Sequence, residues 1–118
     1  MGQSFKELVV WQRAVQLSLA VYKLTASFPE SERFGLTNQM RRASVSIASN
    51  IAEGYGKSTR GEYVQFLGHA RGSDCELQTQ FIISESLGFG SAQLRTSAVE
   101  LCDEVSRMLV SMMNKLKK

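Results

Sequence analysis

Four cations are the side chains best placed to do chemistry in this 118-residue sequence: Arg41 and Arg42 inside one apolar-periodic stretch, and Lys57 and Arg60 in the glycine-broken segment after it. Guanidinium and ammonium groups bind phosphates through charge-assisted, sequence-independent hydrogen bonds, and Gly54, Gly56 and Gly61 would let a backbone approach such a ligand closely. On a helix Arg41 and Arg42 stand about 100° apart, so they flank its non-core side and cannot both aim at one neighbouring helix. Lys6, Arg13 and Arg33 are further cations that could join them. The alternative fate of the cluster is ordinary ion pairing with Glu53, Glu62 and Glu76.

A second group, Asn50 and Glu53 with Ser73 and Glu76, predicts a polar cluster between two helices, bordered by Gln80. Its ordinary use is to fix register and partner choice in an apolar bundle. Catalysis asks for a nucleophile with an adjacent base, or for two carboxylates facing a cleft, and the spacing supplies neither. The chain therefore reads as non-enzymatic. His69 is the single histidine, with no acidic or histidine ligand at the spacing of a di-metal bundle, so no metal site and no cofactor are expected. Gly54-Tyr55-Gly56-Lys57-Ser58 follows a helix where a phosphate loop would follow a strand, which excludes nucleotide binding of that type. Cys75 and Cys102 lie in no metal or redox motif and read as reduced packing residues. Asp74 falls on an apolar stripe, which calls either for a basic partner such as Arg71 or for a helix phase shifted by roughly 20–40°.

Hydrophobic residues make up 43% of the chain and charged ones 21%, with a single proline, a balance that favours helices over a turn-rich β-fold. Helix 1 is expected from Leu8 to Ser27, with Trp11, Ala14, Val15, Ser18, Val21, Tyr22 and Thr25 on its core face, ended by Phe28-Pro29. Helix 2 is expected from Leu36 to Tyr55, its core face carrying Leu36, Met40, Ala43, Ile47, Ile51 and Gly54. Helix 3 opens with a capping box at Thr59 and Glu62, continues through Tyr63, Phe66, Leu67, Ala70, Leu77, Phe81 and Ser84, and ends at Leu87-Gly88-Phe89. Helix 4 starts near Ser91 and carries Leu94, Ala98, Leu101, Val105, Met108, Leu109, Met112 and Leu116. The short connections imply an all-α, antiparallel up-down-up-down four-helix bundle over residues 1–118, one domain.

Positive charge belongs to the first half: residues 1–60 hold eight Lys/Arg against four Asp/Glu, and residues 61–118 hold six against seven. No run of apolar residues is long enough for a membrane span and no signal-peptide pattern opens the chain, so a cytoplasmic protein is expected. Helix 2 carries Val45, Ala48 and Ala52 well away from its core stripe, and helix 3 carries Val64, Gly68, Cys75 and Ile82, with Gly68 and Gly72 spaced for close helix approach. Either these strips are the surplus apolar area of a bundle helix, or they form an interface in a homo-oligomer.

Nearly all of the chain resembles the four-helix-bundle proteins encoded in intervening sequences of 23S ribosomal RNA genes. The residues that carry the likeness are Leu8, Trp11 and Ala14; Phe28-Pro29; Gln39, Arg41-Arg42-Ala43, Ser46-Ile47 and Asn50-Ile51-Ala52-Glu53-Gly54; then Phe66-Leu67, Ala70, Gly72-Ser73, Glu76-Leu77 and Leu87-Gly88. That family is in turn similar to the accessory variability determinant of diversity-generating retroelements, a basic pentameric ring that binds nucleic acid and its reverse transcriptase. The resemblance implies a non-enzymatic homopentamer that contacts structured RNA or an RNA/DNA hybrid through Arg41, Arg42, Lys57 and Arg60 and recruits a reverse transcriptase. The rival expectation is a protein-interaction scaffold ring that binds no nucleic acid.

Overall fold

The computed structural model describes residues 4–117. A one-turn 3-10 segment, Phe5–Glu7, precedes four helices: α1 (Val9–Thr25), α2 (Leu36–Tyr55), α3 (Arg60–Ser86) and α4 (Ala92–Leu116). No strand is present among the described residues. Each helix packs on the next and α1 closes on α4, while the backbones of the diagonal pairs stay farther apart. The result is a square up-down-up-down bundle measuring 46 × 21 × 20 Å.

Local chemistry sets the ends. Thr59 accepts the Glu62 amide at 3.1 Å and gives its hydroxyl proton to the Glu62 carboxylate at 2.9 Å, a one-sided form of the expected box. Ser91 caps α4 by accepting the Leu94 amide at 3.0 Å. The first turn of α2 is capped from outside, because Glu32 Oε1 accepts the Leu36 amide at 3.0 Å and places a carboxylate at the positive end of the helix dipole. At the end of α3, Gly88 adopts φ of 76°, the Phe89 amide returns to the Ser84 carbonyl at 3.0 Å, and the Phe89 ring packs on Phe28 with centroids 5.5 Å apart. This is the helix stop expected from Leu87-Gly88-Phe89.

The core face of α2 is the expected one: Leu36, Met40, Ala43, Ile47, Ile51 and Gly54 are all buried. At Gly54 α3 comes so near that a β-carbon would stand 2.9 Å from Phe66 Cβ. In α1 the buried stripe is Val10, Ala14, Leu17, Val21, Leu24 and Thr25, which keeps the expected Ala14, Val21 and Thr25 but is rotated by about 70° from the expected face. Trp11, Val15 and Ser18 are half-buried, and Tyr22 is exposed. The reason is that α1 is apolar on two sides, and the side bearing tryptophan is the flank, not the centre. In α4 a similar shift buries Arg95 and Cys102 while Leu94 stays exposed and Leu101, Met108 and Met112 are half-buried.

Candidate nucleic-acid interface

The structure divides the four cations. Arg41 turns toward α1: its Nε donates to Thr25 Oγ1 at 2.9 Å and its guanidinium carbon lies 4.5 Å from the centroid of the Tyr22 ring. Thr25 passes the link on by donating to the Val21 carbonyl at 2.8 Å. Arg42, one residue on, points outward, is exposed and makes no hydrogen bond or ion pair within the described chain. Two shallow grooves meet at it, one between α2 and α3 lined by Asn38, Gln39, Ser46, Ser73 and Glu76, the other toward α1 beside Tyr22, Arg41 and Val45. Neither Arg41, Arg42 nor Lys57 pairs with Glu53, Glu62 or Glu76.

Lys57 and Arg60 lie at the other end of α2, fifteen or more residues beyond Arg42, which is on the order of 20 Å of helix rise. Lys57 Nζ sits 4.8 Å from the centroid of the Phe66 ring, and Arg60 is exposed in the first turn of α3. Of the other cations, Arg13 pairs with Glu104 of α4 at 3.3 Å and Arg33 with Glu30 at 3.5 Å. The basic residues therefore form two separate stations on the α2 side, and Arg13 belongs to neither.

Between the stations runs a hydrogen-bonded polar chain. Asn50 Nδ2 donates to the Ser46 carbonyl at 2.8 Å and to Ser46 Oγ at 3.0 Å, and the Ser73 hydroxyl reaches across from α3 to the same Oγ at 3.0 Å. Asn50 and Ser73 are thus joined through Ser46, a residue the cluster read from sequence left out although its spacing to Asn50 is one helical turn. Glu53 and Glu76 are exposed and stand outside this chain. Glu76 lines the Arg42 groove, where its carboxylate works against an anionic ligand.

The residues singled out for subunit contact fall on two flanks. Val45, Ala48 and Ala52 line an apolar groove between α1 and α2 with Trp11, Val15 and Leu19. Gly68 looks toward α4, where a β-carbon would come within 3.7 Å of Met113 Cε, and Gly72 opens to solvent. Among the described residues no group of histidine, cysteine and carboxylate side chains could hold a metal ion. No helix there is long and apolar enough to cross a membrane. Cys75 is exposed, contrary to the packing role expected of it, whereas Cys102 is buried.

Asp74 is fully buried, as its place on the apolar stripe required, but its partner is not Arg71, which is exposed. Gln78 Nε2 donates to Asp74 Oδ1 at 2.6 Å and Oδ2 has no partner. Burial pushes this carboxyl above the ordinary value of 3.8, against the bonds from Gln78 and Cys102 and with help from Asp103. The Cys102 thiol donates to the Asp74 carbonyl at 3.8 Å, and burial pushes that thiol far up.

The comparisons with known proteins agree with this architecture. The family model described as 23S rRNA-intervening sequence protein matches residues 6–111. Among solved structures, the chain is similar to that of a protein of unknown function from the S23 ribosomal protein family of Bacteroides thetaiotaomicron VPI-5482. The TM-score is 0.79 at 19% identity, covering 89% of this chain and 98% of the other, a likeness of fold alone. No curated protein matches the sequence.

Proposed function

The chain belongs to the 23S rRNA-intervening sequence protein family, and from that premise we propose that it is a non-enzymatic accessory protein that binds structured RNA or an RNA/DNA hybrid through the outer face of α2. The observation that carries the reading is Arg42, an exposed guanidinium with no partner among the described residues, set at the meeting of two grooves with Asn38, Gln39 and Ser46 as neighbouring donors. Arg41, held by Tyr22 and Thr25, adds a second positive charge at fixed position. Lys57 and Arg60 would contact a phosphate farther along the same nucleic acid. Such a surface reads charge and shape, not bases.

The same reading makes the protein a homopentameric ring in the cytoplasm that recruits a reverse transcriptase. A ring needs two different faces, because each subunit meets its neighbours head to tail. The two flanks support that requirement: the α1/α2 groove holding Val45, Ala48 and Ala52 is distinct from the α3/α4 flank that holds Gly68. The same apolar groove also favours a second reading, a scaffold ring that docks another polypeptide and has no affinity for nucleic acid.

The test is a salt series on RNA binding by the parent and by the Arg41→Ala/Arg42→Ala variant. Two lost phosphate contacts should flatten the dependence of log K on log salt by nearly 2 and weaken binding by about tenfold or more, almost equally across sequences. An unchanged slope would place the contacts elsewhere, and an absence of salt-sensitive binding in the parent would favour the scaffold.

A further inference from the structure

Arg95 is a buried cation that lacks a counter-ion among the described residues. It is only 8% exposed, and no carboxylate pairs with it among the described residues. One terminal nitrogen, Nη2, is engaged: it donates to the Phe89 carbonyl and to Ser84 Oγ, tying the α3–α4 turn together. Among the described residues Nε is buried without any partner, and Nη1 makes no bond. Buried charges ordinarily have a charged partner. Here the guanidinium instead forms part of the wall of a groove of about 250 Å³ between α3 and α4.

The rest of that wall specifies what could enter. Phe81, Ile82, Val99 and Cys102 make it apolar, Gln78 adds the amide that is bonded to Asp74, and two exposed carboxylates, Glu85 and Asp103, complete it. Glu85 follows Ser84, the residue bonded to Arg95, so it stands at the cationic end. Asp103 lies eight residues along α4 from Arg95, about 12 Å of helix rise. The groove therefore offers, in order, a cation beside an anion, an aliphatic stretch, and a second anion. Its own charge is one positive against two negative, which favours an occupant with one net positive charge.

We propose that this groove binds a free basic α-amino acid, with L-lysine the best fit. The α-carboxylate meets Arg95, the α-ammonium meets Glu85, the four-carbon stem lies on Phe81 and Val99, and the ε-ammonium reaches Asp103. Lysine presents a carboxylate, an ammonium, an aliphatic stem and a second ammonium in that same order. The site is separate from the outer face of α2 and does not depend on nucleic-acid binding.

The experiment is titration of the full chain with four probes, followed by calorimetry and by backbone amide shifts: L-lysine, norleucine, which lacks the ε-ammonium, lysinamide, which lacks the carboxylate, and ε-aminocaproate, which lacks the α-ammonium. Lysine should bind saturably and move amides of the α3–α4 groove, and norleucine and lysinamide should each bind about tenfold or more weakly, the worth of one charge-assisted contact. Asp103→Asn should reduce lysine to the level of norleucine and leave norleucine unchanged. Glu85→Gln should weaken lysine and spare ε-aminocaproate. Both changes are at exposed positions and leave the clamp on Phe89 intact. Absence of saturable lysine binding at millimolar concentration, equal affinity for lysine and norleucine, or indifference to both substitutions would overturn the proposal.

Discussion

Helix α3 has two seams, and they treat polar groups in opposite ways. Toward α2, Asn50, Ser46 and Ser73 satisfy one another, and the orphan of that face, Gln80 Oε1, is neutral. Toward α4, the buried polar groups are ionisable and incompletely paired: Asp74 Oδ2 and Arg95 Nε have no partner. A satisfied neutral chain fixes register at small cost, because what water gave up is replaced bond for bond. An unpaired guanidinium nitrogen costs stability, and an unpaired buried carboxyl also makes that seam respond to protons. The first seam is therefore the structural one and the second the responsive one.

The strongest way to break this comparison is to overfill the tight seam. A β-carbon at Gly54 would meet Phe66 Cβ at 2.9 Å and Tyr63 Cδ1 at 3.1 Å, and the first of these belongs to the stem of a side chain that cannot swing away. Gly54→Ala should destabilise the fold by about 2 kcal/mol in urea unfolding, in spite of the helix propensity that alanine adds. A neutral or stabilising result would mean that α2 and α3 slide apart easily and that their seam does not set the register.

The responsive seam is tested next, through Asp74. Its carboxyl titrates above the ordinary 3.8 in the folded chain, with burial as the main cause. The folded chain thus holds the proton more tightly than the unfolded one. The sign follows: the favourable contribution is complete below the ordinary value and is lost as pH rises through the raised one. Asp74→Asn removes the titration and should raise stability at neutral pH by on the order of 1 kcal/mol, with the advantage closing toward acid. Thermal unfolding of both proteins across that pH range checks it, and a difference independent of pH would show that desolvation of the carboxylate is not the cause.

These seams also mark what was legible in the sequence. The stripe of α2 and the glycine stop of α3 follow from period and local backbone chemistry, so the bundle and its helix order were readable. The phase of α1 was not, since Trp11, Val15 and Leu19 line the groove with Val45 while Val10, Leu17 and Leu24 fill the core, and both sets have helical spacing. Arg95 escaped notice because an arginine among apolar positions reads as the edge of a stripe. Only the fold of the α3–α4 turn, which offers it the Phe89 carbonyl, makes burial possible. The cations of α2 were legible as residues but not as a group, because Arg42 and Lys57 are close in type and far apart along the helix.

A smaller effect sharpens the structural seam. Ser46→Ala removes the oxygen that joins Asn50 to Ser73 and should cost about 1 kcal/mol, the usual worth of a part-buried neutral link. Combined with Ser73→Ala it should cost little more than Ser46→Ala alone, since the bond that Ser73 makes to Ser46 is already gone. Full additivity in that double-mutant cycle would show that the two hydroxyls do not act as one chain.

The smallest expected effect separates the two arginines that the proposed function uses together. Arg41 gives up a hydrogen bond to Thr25 and a stacked contact on Tyr22 when it becomes alanine, so Arg41→Ala should lower stability by about 1 kcal/mol. Arg42 has no such contacts, and Arg42→Ala should leave stability within about 0.5 kcal/mol of the parent. On RNA the two should differ less, each flattening the salt dependence by close to 1 because each neutralises one phosphate. If instead Arg41→Ala leaves the salt slope untouched while lowering stability, its guanidinium is a strut between α1 and α2. The phosphate contact would then belong to Arg42 alone, because a side chain held over a tyrosine ring turns outward only by breaking the bond to Thr25.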